Sequence, residues 1–298
     1  MCLAWFVGMS ERILVIGGTG LVGAPIVRQL EEAGWNVRVT SRHAADAGDK
    51  LGSGVELVSG DANRRDDLER AMTGCQAALV CVSDLLDPYL DVRVTESVVR
   101  LAPTLGVQRI GLISGASVDE ERSWFPMIDA KLEAETLLEA SRTPWVILRL
   151  TWPMESLARF VQGDRAMILG DQPATIHPVA GADIGRMVAR AFELDEALGR
   201  TFTIHGPEAY TMKGWLQRYC ALAHSPAKVK SIPFWVASAM ASLTFDRTMK
   251  AAVALMKYFD QLPEFGDPTD ANRILGAPAI TLEQWESSRD VFKLPKAA

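Results

Sequence analysis

The run Ile13-Leu14-Val15-Ile16 passes directly into Gly17-Gly18-Thr19-Gly20-Leu21-Val22-Gly23, and this junction limits the possible folds more than any other feature of the chain. An unbroken aliphatic run reads as a strand buried on both faces, the state of a strand inside a parallel sheet. Beyond the glycines, Leu21, Val22, Ile26, Val27 and Leu30 fall at helical spacing up to Gly34, a suitable C-cap. The alternation continues. Strands are expected at 37–40, 55–59, 77–82, 109–114 and 145–149, with helices from about 66, over 92–105 and near 129–141. Six strands separated by helices imply an α/β fold with a doubly wound parallel sheet of Rossmann type, because right-handed crossovers place helices on both faces.

Past residue 150 the rhythm is broken by Trp152-Pro153, Gly170, Pro173 and Pro178, before a helix at 183–194 and a strand at 201–204. The expected organisation is a dinucleotide-binding core over 9–150 and a smaller, mostly helical substrate lobe over 151–298, with 179–205 returning to the core. Met9 is a plausible start, the first eight residues then being a loose extension. With 298 residues, 48% of them hydrophobic and 23% charged, the chain can bury such a core. A net charge of −6 and the absence of basic runs argue against nucleic acid as a partner. Four cysteines without a C-x-x-C pair and four histidines without ligand spacing suggest neither a disulfide framework nor a metal, which fits a reducing, cytoplasmic setting.

The glycine turn between a buried strand and a helix is an anion site, since the first N–H groups of the helix point into it. Gly17 permits the tight turn, Gly20 lets a pyrophosphate approach the backbone, Leu21 and Val22 continue the cradle, and Gly23 lets the helix pack closely. A glycine-rich turn without a ligand is the bland alternative, which the succession of βα units disfavours. At the end of the second strand, Val37-Arg38-Val39-Thr40-Ser41-Arg42-His43 lacks the acid that binds a ribose 2′-hydroxyl. Arg42, helped by Ser41, suits a 2′-phosphate, so NADP(H) is expected ahead of NAD(H); a solvated surface arginine is the other reading.

Together GGTGLVG, Ser41-Arg42, Gly60-Asp61, DAKLEAETLLEASRTPWVILRLTWPMESL, Ala182-Asp183-Ile184 and Gly206-Pro207-Glu208-Ala209-Tyr210-Thr211 resemble the NmrA-like and complex-I-subunit-like branch of the atypical short-chain dehydrogenase/reductases. The resemblance covers most of residues 11–290. It implies that Asp61 contacts the adenine, with Ala62 beside it in the cofactor site, and that the C-terminal lobe closes over a substrate. The wider superfamily reduces ketones with a Ser, a Tyr and a Lys. Lys131 matches the lysine and Ser114 the serine, but Met127 stands where the tyrosine belongs, and a thioether has no proton to donate.

Three roles for Lys131 stay open: proton relay in a reductase, part of a non-catalytic NADP(H) sensor or assembly protein of the NmrA-like type, or ribose clamp in a structural subunit. Trp124, Phe125 and Trp152 are expected to wall a substrate pocket, plain packing being the alternative. His177 and His205 read as structural. The apolar stretch 233–260 either lines a pocket for a hydrophobic carbonyl or quinone-like substrate or offers a face to a partner or membrane surface, and its charges at Asp246, Arg247 and Lys250 prevent it from spanning a bilayer as one helix.

Overall fold

The structure, a computed structural model, describes residues 11–42 and 51–288. Met9, His43 and the outer limits of the two expected domains at 9 and 298 lie outside the described residues. The strands are β1 (Arg12–Ile16), β2 (Asn36–Ser41), β3 (Glu56–Ser59), β4 (Ala77–Val80), β5 (Arg109–Gly115), β6 (Trp145–Leu150), β7 (Val161–Gln162), β8 (Arg165–Leu169), β9 (Thr175–Ile176), β10 (Arg200–Ile204), β11 (Tyr210–Thr211) and β12 (Lys228–Ile232). Seven of them form one sheet in the order β10-β6-β5-β4-β1-β2-β3, every pairing parallel.

The longer helices are α1 (Gly23–Glu32), α2 (Arg65–Met72), α3 (Leu90–Leu105), α4 (Pro126–Glu139), α5 (Gly181–Glu193), α6 (Met212–Leu222), α7 (Phe234–Leu243), α8 (Arg247–Asp260) and α9 (Leu282–Ser288). Alternate residues of β1 explain why its sequence is apolar throughout. Ile13 and Val15 enter a core shared with α1 and α5, whereas Leu14 and Ile16 enter the core shared with α2, α3 and α4. Each of the four is fully buried, and burying such a side chain contributes roughly 1.5–3 kcal/mol.

Several boundaries differ from the periodicity. Helix α1 begins at Gly23 rather than at Leu21, because Gly20 N–H closes a turn onto the Gly17 carbonyl and holds Leu21 and Val22 outside the helix. Helix α4 starts earlier than 129, at Pro126, whose missing N–H costs nothing in a first turn. Residues 233–260 form two helices. The break falls at Phe245, which takes a left-handed φ of 54°, and Asp246 then caps α8 by accepting the Met249 N–H.

Residues 200–204 join the main sheet beside β6, and α5 packs on α1. A third apolar cluster, including Met154, Ile168, Met212, Trp215, Tyr219 and Trp285, forms the remaining lobe around the sheet β12-β8-β7 and the pair β11-β9. Among the described residues no helix is long and apolar enough to cross a membrane.

Candidate active site

All seven strands of the main sheet point the same way, so the loops after β1, β2, β3, β4, β5 and β6 share one edge. The chain leaves β1 toward β2 on one side and returns to β4 on the other, and the crevice at such a switch point is where open α/β sheets bind ligands. Gly17 lines its wall with φ of 88°, and a Cβ there would stand 2.2 Å from the Cys81 carbonyl oxygen. At Gly23 a Cβ would meet the Gly17 carbonyl oxygen at 2.2 Å. Gly20 differs: it is exposed, and a Cβ would touch only the Gly17 oxygen, at 3.1 Å. Val22 supplies no side-chain cap to α1, and the first turn holds no acid. The positive end of the helix thus carries no side-chain anion of its own.

Along the same edge, Ser41 pairs in register with Ser59, and Arg42 follows it, exposed. The neighbouring Arg38 is instead buried, donating to the Ala71 and Thr73 carbonyls and to Glu56, which fastens β2 to the end of α2. Asp61 shapes the turn after β3: its Oδ1 accepts the Asn63 N–H, and its own N–H donates to Asp67. That bond, with Arg70 and Arg64 assisting, holds the Asp67 carboxyl below the usual carboxylate range. Ala62 packs against the core beneath.

Lys131 lies in the second turn of α4 and donates from Nζ to Asp91 Oδ2 at 2.8 Å. The two side chains are 15% and 3% exposed, so this pair is desolvated. Burial pushes the Asp91 carboxyl up, against the attraction of Lys131. Beside the pair, burial pushes the Cys81 thiol up to about 12, which keeps it a neutral thiol. Ser114 Oγ and Asp91 Oδ1 are buried and have no partner, as expected where a hydroxylated ligand completes the bonding. An open Gly20, an uncapped α1 and these orphaned oxygens fit a dinucleotide. Sequence spacing missed Asp91, which lies 40 residues before Lys131. Its signal is a carboxylate on the buried stripe of α3, sharing that face with Thr95 and Val98.

Lys131 also lines a cavity of about 210 Å³ between the main sheet edge and the second lobe. Its walls include Met127, Trp152, Gln172, Leu255, Phe259 and Glu264, and among the described residues the charged ones on the wall are Lys131 and Glu264. Gln172, buried with φ of 45°, spends its amide donors on the Leu169 and Met256 carbonyls and its N–H on Asp260. Trp152 lies on the wall, 5.0 Å from Phe259. Trp124 and Phe125 do not, because the buried Tyr258 ring takes up their faces. Phe125 stacks on it at 4.6 Å, and Trp124, 63% exposed, leans on it at 5.6 Å. Ser114 is also absent from the wall, where its neighbour Gly115 appears.

Glu264 brings together two histidines that the sequence presented as unrelated. It accepts from the His177 backbone N–H and from His177 Nδ1, the latter at 2.6 Å, and its side chain is 8% exposed. His205 stacks on His177 with ring centroids 5.2 Å apart; its Nε2 bonds the Phe265 carbonyl at 3.1 Å, and its Nδ1 faces Glu264 Oε2 at 3.8 Å. The three donor atoms lie within 4.8 Å of one another. No linear spacing reveals this group, since its members come from three separate connections.

Comparison with known proteins agrees with this geometry. A family model described as NAD(P)H-binding matches residues 17–194. The (4-alkanoyl-5-oxo-2,5-dihydrofuran-3-yl)methyl phosphate reductase of Streptomyces griseus is 29% identical over 209 residues, 67% of this chain and 70% of that protein. The photosystem II assembly factor Ycf39 of Trieres chinensis is 23% identical over 233 residues, 75% and 73% of the two chains. Among solved structures, the NADPH-dependent quinone oxidoreductase QOR2 of Escherichia coli, complexed with NADPH, superposes with a TM-score of 0.70 at 19% identity, covering 92% of this chain and 98% of its own. With the family model spanning more than half of its length, the chain belongs to the NAD(P)H-binding family.

Proposed function

We propose that the protein is an NADPH-dependent reductase of an apolar, electron-poor acceptor, a quinone or a conjugated carbonyl. The observation that carries this reading is the cavity beside Lys131: apolar walls with two ionisable residues, Lys131 and Glu264. When bound, the cofactor supplies a hydride to the acceptor. The chain's residues do the rest. The N-terminus of α1 holds the pyrophosphate, and Ser41 and Arg42 take the 2′-phosphate that distinguishes NADPH from NADH. Lys131, fixed by Asp91, presents a positive charge to the oxygen on which negative charge develops.

The proton must come from elsewhere than Met127, and Glu264 is the acid of this reading. A carbonyl can only accept, so the bond to Phe265 places a hydrogen on His205 Nε2. Its Nδ1 faces Glu264 Oε2 at 3.8 Å, and Glu264 stands on the cavity wall. Hydride and proton together reduce the acceptor by two electrons and leave the oxidised cofactor.

NADPH oxidation across a panel of quinones and enones tests the reading. Wild-type turnover is expected, with Glu264→Gln lowering kcat by ~10²–10⁴-fold, as for a missing acid, at unchanged NADPH affinity. Full activity in that variant removes Glu264 from the role, whereas no oxidation by the wild type removes the reductase reading itself. A second reading, an NADP(H)-responsive assembly protein without turnover, is favoured by Met127 in the tyrosine position and by the likeness to Ycf39.

A further inference from the structure

Helix α7 carries no charge, and Ser238 and Ser242 are its two polar residues. Ala237 and Ala241 are buried, whereas Trp235, Met240 and Leu243 on the other side are 75%, 48% and 81% exposed, with no charged residue between Phe234 and Leu243. At 100° per residue these three side chains and Ala239 fall on one face. Phe245 follows in its left-handed conformation, 82% exposed, at the tip of the α7–α8 hairpin. An exposed cluster of large apolar side chains such as this marks an interaction surface.

The surrounding charges indicate what the cover is. Residues 228–260 hold five basic side chains, Lys228, Lys230, Arg247, Lys250 and Lys257, in a chain whose net charge is −6. All five are exposed. The two acids of the same stretch are used within the fold: Asp246 caps α8, and Asp260 accepts the Gln172 N–H. Lys250 stands 6.0 Å from the Phe245 ring, so positive charge adjoins the apolar tip. Protruding Trp, Leu and Phe flanked by Lys and Arg match the headgroup region of a bilayer bearing negative charge, with rings and aliphatic groups at the acyl boundary and ammonium groups at the phosphates.

We propose that the α7–α8 hairpin docks the protein on an anionic phospholipid surface, Trp235, Leu243 and Phe245 entering the interface and Arg247 and Lys250 contacting the phosphates. The docking stands independently of the reductase reading. One consequence rests on that reading: Leu255 and Phe259 of α8 wall the cavity, so a lipophilic acceptor would pass from the bilayer to the cavity along the same hairpin.

Co-sedimentation of the full chain with vesicles tests the docking, comparing pure phosphatidylcholine with phosphatidylcholine containing roughly one third phosphatidylglycerol. The wild type is expected to pellet with the anionic vesicles, less so as salt is raised, and the triple variant Trp235→Ser, Leu243→Ser, Phe245→Ser to lose at least tenfold in partitioning. Arg247→Glu with Lys250→Glu, which spares every apolar contact, is expected to weaken binding to anionic vesicles as well and guards against a misfolded triple variant. Wild-type protein that stays in the supernatant with both vesicles overturns the proposal. So does sedimentation velocity showing a vesicle-free dimer that the triple variant abolishes, since a second copy would then cover the face.

Discussion

Replacing Lys131 by Met isolates the electrostatics on which the site is built. The substitution keeps most of the aliphatic stem and removes the ammonium from Asp91, whose side chain is 3% exposed and whose Oδ1 already lacks a partner. Leaving one member of a buried pair uncompensated costs ~3–5 kcal/mol, and the 15% exposure of Lys131 argues for the lower end, about 3 kcal/mol. At roughly 2–4 °C per kcal/mol for a chain of this size class, Tm should fall by about 6–12 °C.

The Asp91 carboxyl is already raised by burial, and losing Lys131 raises it further. A carboxyl raised in the folded state binds its proton more readily there than in the unfolded chain. Its contribution therefore favours folding at low pH and is lost as pH rises through the folded value. Thermal melts should accordingly show the gap between wild type and Lys131→Met widest near pH ~8 and narrowing toward pH ~5. Asp91→Asn added to Lys131→Met should restore most of the loss, because an amide needs no counter-charge. A gap independent of pH, or no recovery in the double variant, would refute the paired-charge account.

Arg42→Ala should reduce the preference for NADPH over NADH, expected to be at least tenfold and so about 1.4 kcal/mol; titration calorimetry with both cofactors checks it, and an unchanged preference would dismiss Arg42. Gly20→Val and Gly23→Ala should separate binding from folding. The first meets only the Gly17 carbonyl oxygen, at 3.1 Å, and should fold yet bind no dinucleotide, whereas the second drives a Cβ to 2.2 Å from the Gly17 carbonyl oxygen and should lower Tm. Circular dichroism melts paired with NADPH fluorescence titrations decide both, and a Gly20→Val protein of normal affinity would contradict the phosphate cradle.

The sheet was legible because its signals are local. An aliphatic run buried on two faces, followed by glycines that only a strand-to-helix turn requires, needs no knowledge of the rest of the chain, and β1 with α1 bears this out. Places where tertiary contacts decide were not legible in the same way. Asp91 and Lys131 meet across 40 residues, and the His177, His205 and Glu264 group is assembled from three separate connections. Nothing in the local pattern showed that Tyr258 would take the faces of Trp124 and Phe125, or that Phe245 would adopt a left-handed turn and split one apolar stretch into two helices.

Hydride transfer itself is the most direct test. NADPH deuterated at C4 of the nicotinamide, incubated with the protein and a quinone or enone that it turns over, should yield reduced product carrying the deuterium of one face only for an enone, and stoichiometric NADP⁺ for either acceptor, as measured by mass spectrometry and NMR. Protein that binds NADPH tightly but returns it unoxidised with every acceptor, its deuterium retained, would contradict the account and leave a nucleotide-binding protein without reductase chemistry.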